Sequence, residues 1–378
     1  MPNTIPLIKP DLPSLATLEA AFGEILQNGR VTNFGRYVAQ FEEEVSADLQ
    51  IPAVAVSSGT IGLILALHAL GLQPGQKVIL PSFTFVATAQ AVVHVGGVPV
   101  FAEVDDDLTL SCADLDALLA HHRDVAVVLP VHTYGLPCQV EAIQDVVDTA
   151  ARRVASPVAV LYDAAHAYGS SLNGRRVGSF GEAEVFSLSV TKVLVSVEGG
   201  LISSQNPVLL QRIRKMRNYG IESHYNAHWP GLNGKMSEFH AIVGLHNLRQ
   251  ISVLIAERQR KARYYYEQLT TKTSFRTLAW PPEVVHTFKD FTILVPDMLA
   301  GRRDEVMKLL QEHGVETRAY FSPPVHEQQF FRCYADRPLP RTEQFARQVI
   351  TLPFYTTITE AAIDTVVRAL AEAERILT

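Results

Sequence analysis

Two short apolar runs lying close together in the chain, each followed at once by a reactive side chain, constrain the fold more than any other feature. Val158 to Tyr162 reads Val-Ala-Val-Leu-Tyr and hands on to Asp163. Such a run suits a strand covered on both faces, and its acid then emerges at the carboxyl end, where open α/β sheets bind ligands. Val185 to Leu188 is a second run of this kind, carrying Ser187 and leading to Lys192. Both groups are expected at one edge of the sheet.

A lysine in apolar surroundings can lose its proton and attack carbonyl carbon. The best-known cofactor served in this way is pyridoxal 5′-phosphate (PLP). It needs a lysine at its aldehyde, an acid that keeps its pyridine nitrogen protonated, and donors around its phosphate. Lys192, Asp163 and Ser187 match those three needs.

With these residues in view, Asp163-Ala-Ala-His-Ala, Phe186-Ser-Leu-Ser-Val-Thr-Lys192 and Glu198-Gly-Gly together resemble the DegT/DnrJ/EryC1/StrS family of PLP-dependent nucleotide-sugar aminotransferases, and the pattern extends over nearly the whole chain. The resemblance implies an α/β protein of the type I PLP-dependent aminotransferase fold. A mostly parallel central sheet flanked by helices would fill a large PLP-binding domain over 1–250, with a smaller C-terminal α+β domain over 251–378. It also implies ping-pong amino transfer from L-glutamate to a nucleotide-linked keto-6-deoxy sugar, 4-keto favoured, through pyridoxamine phosphate, in a homodimer with shared active sites.

Composition agrees with a large soluble protein. With 378 residues, 47% hydrophobic and 19% charged, the chain can bury a sizeable core. Its net charge of -6 is spread along the sequence and offers no basic stripe for nucleic acid or an anionic membrane. Neither a leader segment nor a membrane span is read, so a cytoplasmic location is expected. Cys112, Cys138 and Cys333 are too scattered for a disulfide framework or a zinc site, and no metal is expected.

Along the chain, helical spacing predicts helices over Leu12 to Gln27, capped by Ser14, and through Val38 to Leu49. Ala53-Val-Ala-Val is a strand running into a helix at Ser57-Ser-Gly59-Thr60. Free N–H groups at that helix start suit a phosphate, although the same residues serve equally as a plain cap. Further strands follow at Lys77 to Pro81, Val98 to Val104 and Val125 to Val131. Ser111 to Asp114 reads as a capping box, and a helix is expected over Val140 to Ala151. Strand and helix thus alternate from Ala53 onward, as in a parallel sheet. No Gly-x-Gly-x-x-Gly follows a strand, which disfavours a nicotinamide oxidoreductase.

Beyond Ser204, helices are read through Val208 to Met216, Ser237 to Leu248 and Val253 to Leu269, with Glu222 to Gly231 an aperiodic loop. Pro281-Pro282 is the clearest linker signal. Phe291 to Val295 is expected as a strand, Asp304 to His313 as a helix, Val315 to Tyr320 as a strand, and Thr359 to Leu377 as a terminal amphipathic helix.

The resemblance assigns the PLP phosphate to Gly59, Thr60 and Ser187, with Asn233 reaching it from the neighbouring subunit. Phe85 would cover the cofactor ring and His166 would bond its phenolic oxygen. Tyr134, together with Tyr320 and His326 on the segment Tyr320 to His326, would face the sugar. Three positions depart from the pattern: His166 stands where Gln is frequent, Ser189 where His is, and Lys235 where Arg is. A sugar dehydratase of this fold would carry His in place of Lys192. A non-catalytic regulatory relative, a 3-keto-sugar aminotransferase and an amino-cyclitol aminotransferase remain alternatives.

Overall fold

The computed structural model describes residues 4–154 and 157–378. Residues 1–3, part of the stretch on which the reading of no leader segment rests, lie outside them. The main sheet has the order β1 (Ala53–Val56), β9 (Gly200–Ser203), β8 (Ala183–Ser187), β5 (Ala159–Asp163), β4 (Val125–Val128), β2 (Lys77–Pro81), β3 (Val98–Ala102). From β8 through β3 every neighbouring pair is parallel; β9 alone runs against both of its neighbours. Parallel neighbours need crossovers, supplied here by α3 (Gly59–Ala69), α4 (Val86–His94), α5 (Cys112–His121) and α6 (Val140–Val154).

The strands are apolar at most positions because both faces are covered, Glu184 in β8 being a buried exception. Val54, Val56, Val78, Leu80 and Leu161 point into a core shared with α3, α4 and α7 (Pro207–Met216). Ala53, Ala55, Ile79, Val160 and Tyr162 point the other way, toward α1 (Leu15–Asn28), α2 (Arg36–Leu49), α5, α6 and α8 (Glu238–Leu248). That alternation is the period of two expected of a pleated strand. Helix α3 is apolar around most of its surface, since it packs on β8, β9, α4 and α7 together.

The C-terminal part builds a separate antiparallel sheet, β12 (Arg276–Thr277), β14 (Phe291–Leu294), β15 (Val349–Leu352), packed with α9 (Ile251–Lys272), α10 (Arg303–Glu312) and α12 (Glu360–Leu377). The N-terminal segment reaches across to it. Ile5 bridges Val315, and Phe354 N–H donates to the Leu7 carbonyl at 3.1 Å.

Several local expectations are corrected. Val315 to Tyr320 is no strand: Val315 meets Ile5 while Arg318 meets Thr351, so its two pairings lie with different partners and no ladder develops. The Ser111 capping box does not form, because Asp114 turns to accept from Glu103 N–H at 2.8 Å and to pair with Arg337. The stretch Glu222 to Gly231 is not wholly irregular; it includes most of a hairpin, β10 (Ile221–Ser223) with β11 (Asn226–Ala227). Its turn places His224 and Tyr225 at φ 48° and 58°, a conformation usually marked by Gly or Asn, which is why the turn left no signal. Pro281-Pro282 leads at once into β13 (Val284–Val285), which pairs with β6 (Ser171–Leu172) of the small hairpin β6–β7 (Arg175–Arg176), so this segment is pinned rather than a free linker. Helix α11 (Pro340–Gln348), with proline at its start, and β15 are elements the sequence reading did not single out.

Candidate functional site

At the carboxyl ends of β5 and β8 the sheet opens into a cavity of about 360 Å³. The parallel register sets Asp163, the last residue of β5, against Val185 of β8, and two residues later Ser187 ends β8. The chain then loops through Ser189, Thr191 and Lys192 before returning along β9. Asp163, at the end of one strand, and Ser187 and Lys192, at and beyond the end of its neighbour, therefore line one cavity.

The first turn of α3 closes one side. Its cap is Ser58, whose side chain accepts from Ile61 N–H at 3.2 Å. Among the described residues the N–H groups of Gly59 and Thr60 find no acceptor, leaving two donors and the positive helix end at the cavity wall. The helix can come this close only because of two glycines. A Cβ on Gly59 would lie 3.0 Å from the Ser187 Cβ, and one on Gly200 would lie 2.6 Å from the carbonyl carbon of Ser58. Glu198-Gly-Gly is thus a packing requirement as well as a motif.

Asp163 is 5% exposed and fully engaged: Oδ2 accepts from Thr88 Oγ1 at 2.8 Å and Oδ1 from Ala165 N–H at 3.0 Å. Burial raises its pKa, while those two hydrogen bonds and the nearby Lys192 oppose the rise. Lys192 is the reverse case. Desolvation, followed by repulsion from Lys289, lowers its pKa to about 7, against the pull of Asp290, Asp163 and Glu198. About half of such lysines are neutral near pH 7.

His166 is buried, its Nδ1 accepting from Tyr134 N–H at 3.2 Å. Burial, with Lys192 and Lys289, pushes its pKa well below the ordinary histidine value. The ring is therefore neutral with its proton on Nε2, a donor for an oxygen in the cavity. Its face stacks on Phe321, centroids 6.2 Å apart and 14° between planes. Phe85, 56% exposed at the start of α4, lines the mouth of the same cavity.

Gly59, Thr60, Phe85, Asp163, His166, Ser187, Lys192 and Tyr320 thus meet in one place. Tyr134, His326 and Asn233 do not line the cavity of this chain. Tyr134 lies behind Tyr320, donating its hydroxyl to that residue's carbonyl. His326 is held behind the wall by Ser82, whose Oγ lies 2.6 Å from Nδ1, and by Glu343 at 3.5 Å from Nε2. Asn233 is exposed and bridges Asn218. His132, two residues before Tyr134, is core: its ring stacks on Tyr162 at 5.0 Å and its Nε2 lies 3.0 Å from Glu184 Oε2.

Three lining or supporting groups were given no role in the sequence reading: Thr88, and the buried pair Lys289 and Asp290. The last two carried a usable signal, since two opposite charges stand side by side between Phe288 and Phe291.

A sequence profile of the DegT/DnrJ/EryC1/StrS aminotransferase family matches residues 16–371. A dTDP-4-amino-4,6-dideoxy-D-glucose transaminase of Escherichia coli is 30% identical over 374 residues, 97% of this chain and 98% of its own. A UDP-N-acetyl-3-dehydro-alpha-D-glucosamine 3-aminotransferase of Acidithiobacillus ferrooxidans (strain ATCC 23270 / DSM 14882 / CIP 104768 / NCIMB 8455) is 33% identical over 320 residues, 83% of each chain. The solved structure of a Bacillus cereus ATCC 10987 protein described as a PLP-dependent aminotransferase superposes with a TM-score of 0.88 at 27% identity, over 97% of this chain and all of that one.

Proposed function

Since the chain belongs to the DegT/DnrJ/EryC1/StrS aminotransferase family, whose members use PLP, we propose that it moves an amino group from L-glutamate to a nucleotide-linked keto-6-deoxy sugar, with 4-keto substrates favoured. The observation that carries this reading is the meeting of a near-neutral lysine, a buried carboxyl and a helix start in one cavity.

The residues present fit the cofactor, and each takes one task. Gly59 and Thr60 N–H groups with the Ser187 hydroxyl hold the phosphate, the helix dipole adding to their attraction. Asp163, fixed by Thr88 and Ala165, would be the acid that keeps the pyridine nitrogen protonated. His166 would donate to the ring hydroxyl, and Phe85 would cover the ring face. Bound PLP supplies an aldehyde that condenses with amines and a ring that accepts the electron pair left when a carbon beside that nitrogen loses its proton.

Lys192 would be the residue that holds the cofactor's aldehyde, and an amino substrate entering the cavity would free its amine. That amine, with its pKa lowered to about 7, would serve as the base that takes the proton from the substrate α-carbon and returns it during the transfer. With the keto-sugar the same lysine runs the transfer in reverse, so one base serves both halves and the kinetics are ping-pong. The nucleotide lies in the cleft leading out past Tyr320 and the segment to His326, with Tyr134 bracing Tyr320 from behind. Asn233 completes the phosphate site of a neighbouring subunit in a homodimer.

A 3-keto substrate is the second reading, supported by the 33% identical relative named for amination at position 3. Amino transfer from L-glutamate measured across 3-keto and 4-keto nucleotide sugars separates the two. If no nucleotide keto-sugar accepts the amine while simple 2-oxo acids do so efficiently, the sugar reading gives way to an amino-acid aminotransferase.

A further inference from the structure

Two charged residues stand side by side between Phe288 and Phe291 at the entry to β14, and both are buried. Lys289 is 6% exposed and Asp290 4%, with the ammonium 2.7 Å from Oδ1 and 2.9 Å from Oδ2. Burying such a pair sacrifices the hydration of both ions, and well-packed apolar side chains usually serve stability as well or better. Packing alone therefore gives little reason for charge here.

The backbone around the pair is pinned on both sides. Lys289 N–H donates to the Tyr134 carbonyl at 2.9 Å. From α9, buried Arg258 donates to the carbonyls of Thr287 at 3.1 Å, Lys289 at 3.2 Å, and Phe288 between them. Phe288 is held at φ 47°, a left-handed conformation that side-chain-bearing residues adopt only under such constraint. This anchoring sets Lys289 and Asp290 into the wall of the Lys192 cavity, with the Lys289 ammonium 5.4 Å from the centre of the Tyr320 ring.

Charge counting gives the pair a task. The acids lining the cavity are Asp163, Glu198 and Asp290; the bases are Lys192, Lys289 and the neutral-leaning His166. Lys192 is committed to the aldehyde and to proton transfer. An amino-acid donor brings at least one carboxylate into this cavity, and the one cation left to meet it among the lining residues is Lys289. An ammonium has three N–H donors, and Asp290 occupies only two of them.

We propose that Lys289, held in place by Asp290, binds the carboxylate of the amino-acid donor. This rests on the aminotransferase reading above and deepens it by assigning the donor side of the cavity. A carboxylate on the sugar offers the same chemistry, so the test must separate the two sources.

The test uses PLP-loaded enzyme and follows each half-reaction by the cofactor's visible absorption. Lys289→Met combined with Asp290→Leu removes both charges without leaving either buried alone. It should retain PLP while the half-saturating L-glutamate concentration rises about ten- to a hundredfold, the loss expected for one charge-assisted contact. Lys289→Arg should keep most donor affinity, and Asp290→Asn, which keeps the ammonium and one acceptor for it, should weaken it less than the double variant does. A second readout needs no turnover: glutarate, which has carboxylates and no amine, should raise the thermal midpoint of the wild type but not of the double variant. Unchanged glutamate saturation together with an unchanged glutarate shift in the double variant would overturn the proposal. So would a loss seen only with keto-sugars that carry a carboxylate, which would move the contact to the sugar. If wild-type enzyme ignores L-glutamate altogether, the functional reading is what fails, while the glutarate comparison still decides the role of Lys289.

Discussion

At the residue scale the cavity sets protonation by burial, in opposite directions for its acid and its base. Lys192, with its pKa lowered to about 7, is neutral above that pH and charged below it; only the neutral amine attacks an aldehyde. The rate at which cofactor-free protein captures PLP should therefore fall about tenfold per pH unit below 7 and level off above. Stopped-flow absorbance from pH 5.5 to 9 reads this directly, and a midpoint near the ordinary lysine value would contradict the burial argument. Asp163→Asn keeps the shape and the Thr88 contact but removes the charge opposite the pyridine nitrogen. It should still take up PLP yet lose most of its turnover, on the order of a hundredfold or more for a charge-stabilised step; a near-normal kcat would refute the assignment.

At the element scale the site depends on how closely α3 approaches the ends of β8 and β9. Gly200→Ala drives a methyl group to 2.6 Å from the Ser58 backbone, so the helix start must move. The expected result is a loss of about 1 to 3 kcal/mol in unfolding free energy, together with weaker PLP binding, read by denaturant titration and by cofactor titration. Ser58→Ala removes only the cap of α3 and should cost about 1 kcal/mol while leaving the approach of the helix intact. If the two variants lose PLP affinity equally, capping rather than spacing controls the phosphate site.

At the scale of the whole molecule, Asn233 and Lys192 are proposed to meet across subunits. Mixed dimers of Lys192→Ala with Asn233→Ala should then recover activity that neither variant has alone, because one site of each mixed pair holds both residues. No recovery after subunit exchange would remove the shared site. The division into 1–250 and 251–378 is likewise a proposal, supported by the separate core beneath β12, β14 and β15. Hydrogen exchange should show that core opening as its own unit, and a single cooperative opening throughout would argue against the boundary. Among the described residues no helix is long and apolar enough to cross a membrane.

What the sequence alone determined is local and periodic. Strands buried on both faces of a parallel sheet are largely apolar, so β1, β2, β4, β5 and β8 were visible as runs, and reactive residues were expected at the run ends. Asp163, Ser187 and Lys192 were legible for that reason, as was the helix start at Gly59. What only the tertiary structure decided depends on neighbours remote in sequence. Tyr134 and His326 turned out to stand behind the wall because Tyr320 and Ser82 claim them. The hairpin at Ile221 escaped notice because two residues other than glycine hold its turn. Lys289 and Asp290 joined the cavity only because Arg258, Tyr134 and the packing of β14 carry them there. The depressed pKa of Lys192 is likewise a property of its surroundings: desolvation comes from the assembled wall, and no spacing along the chain encodes it.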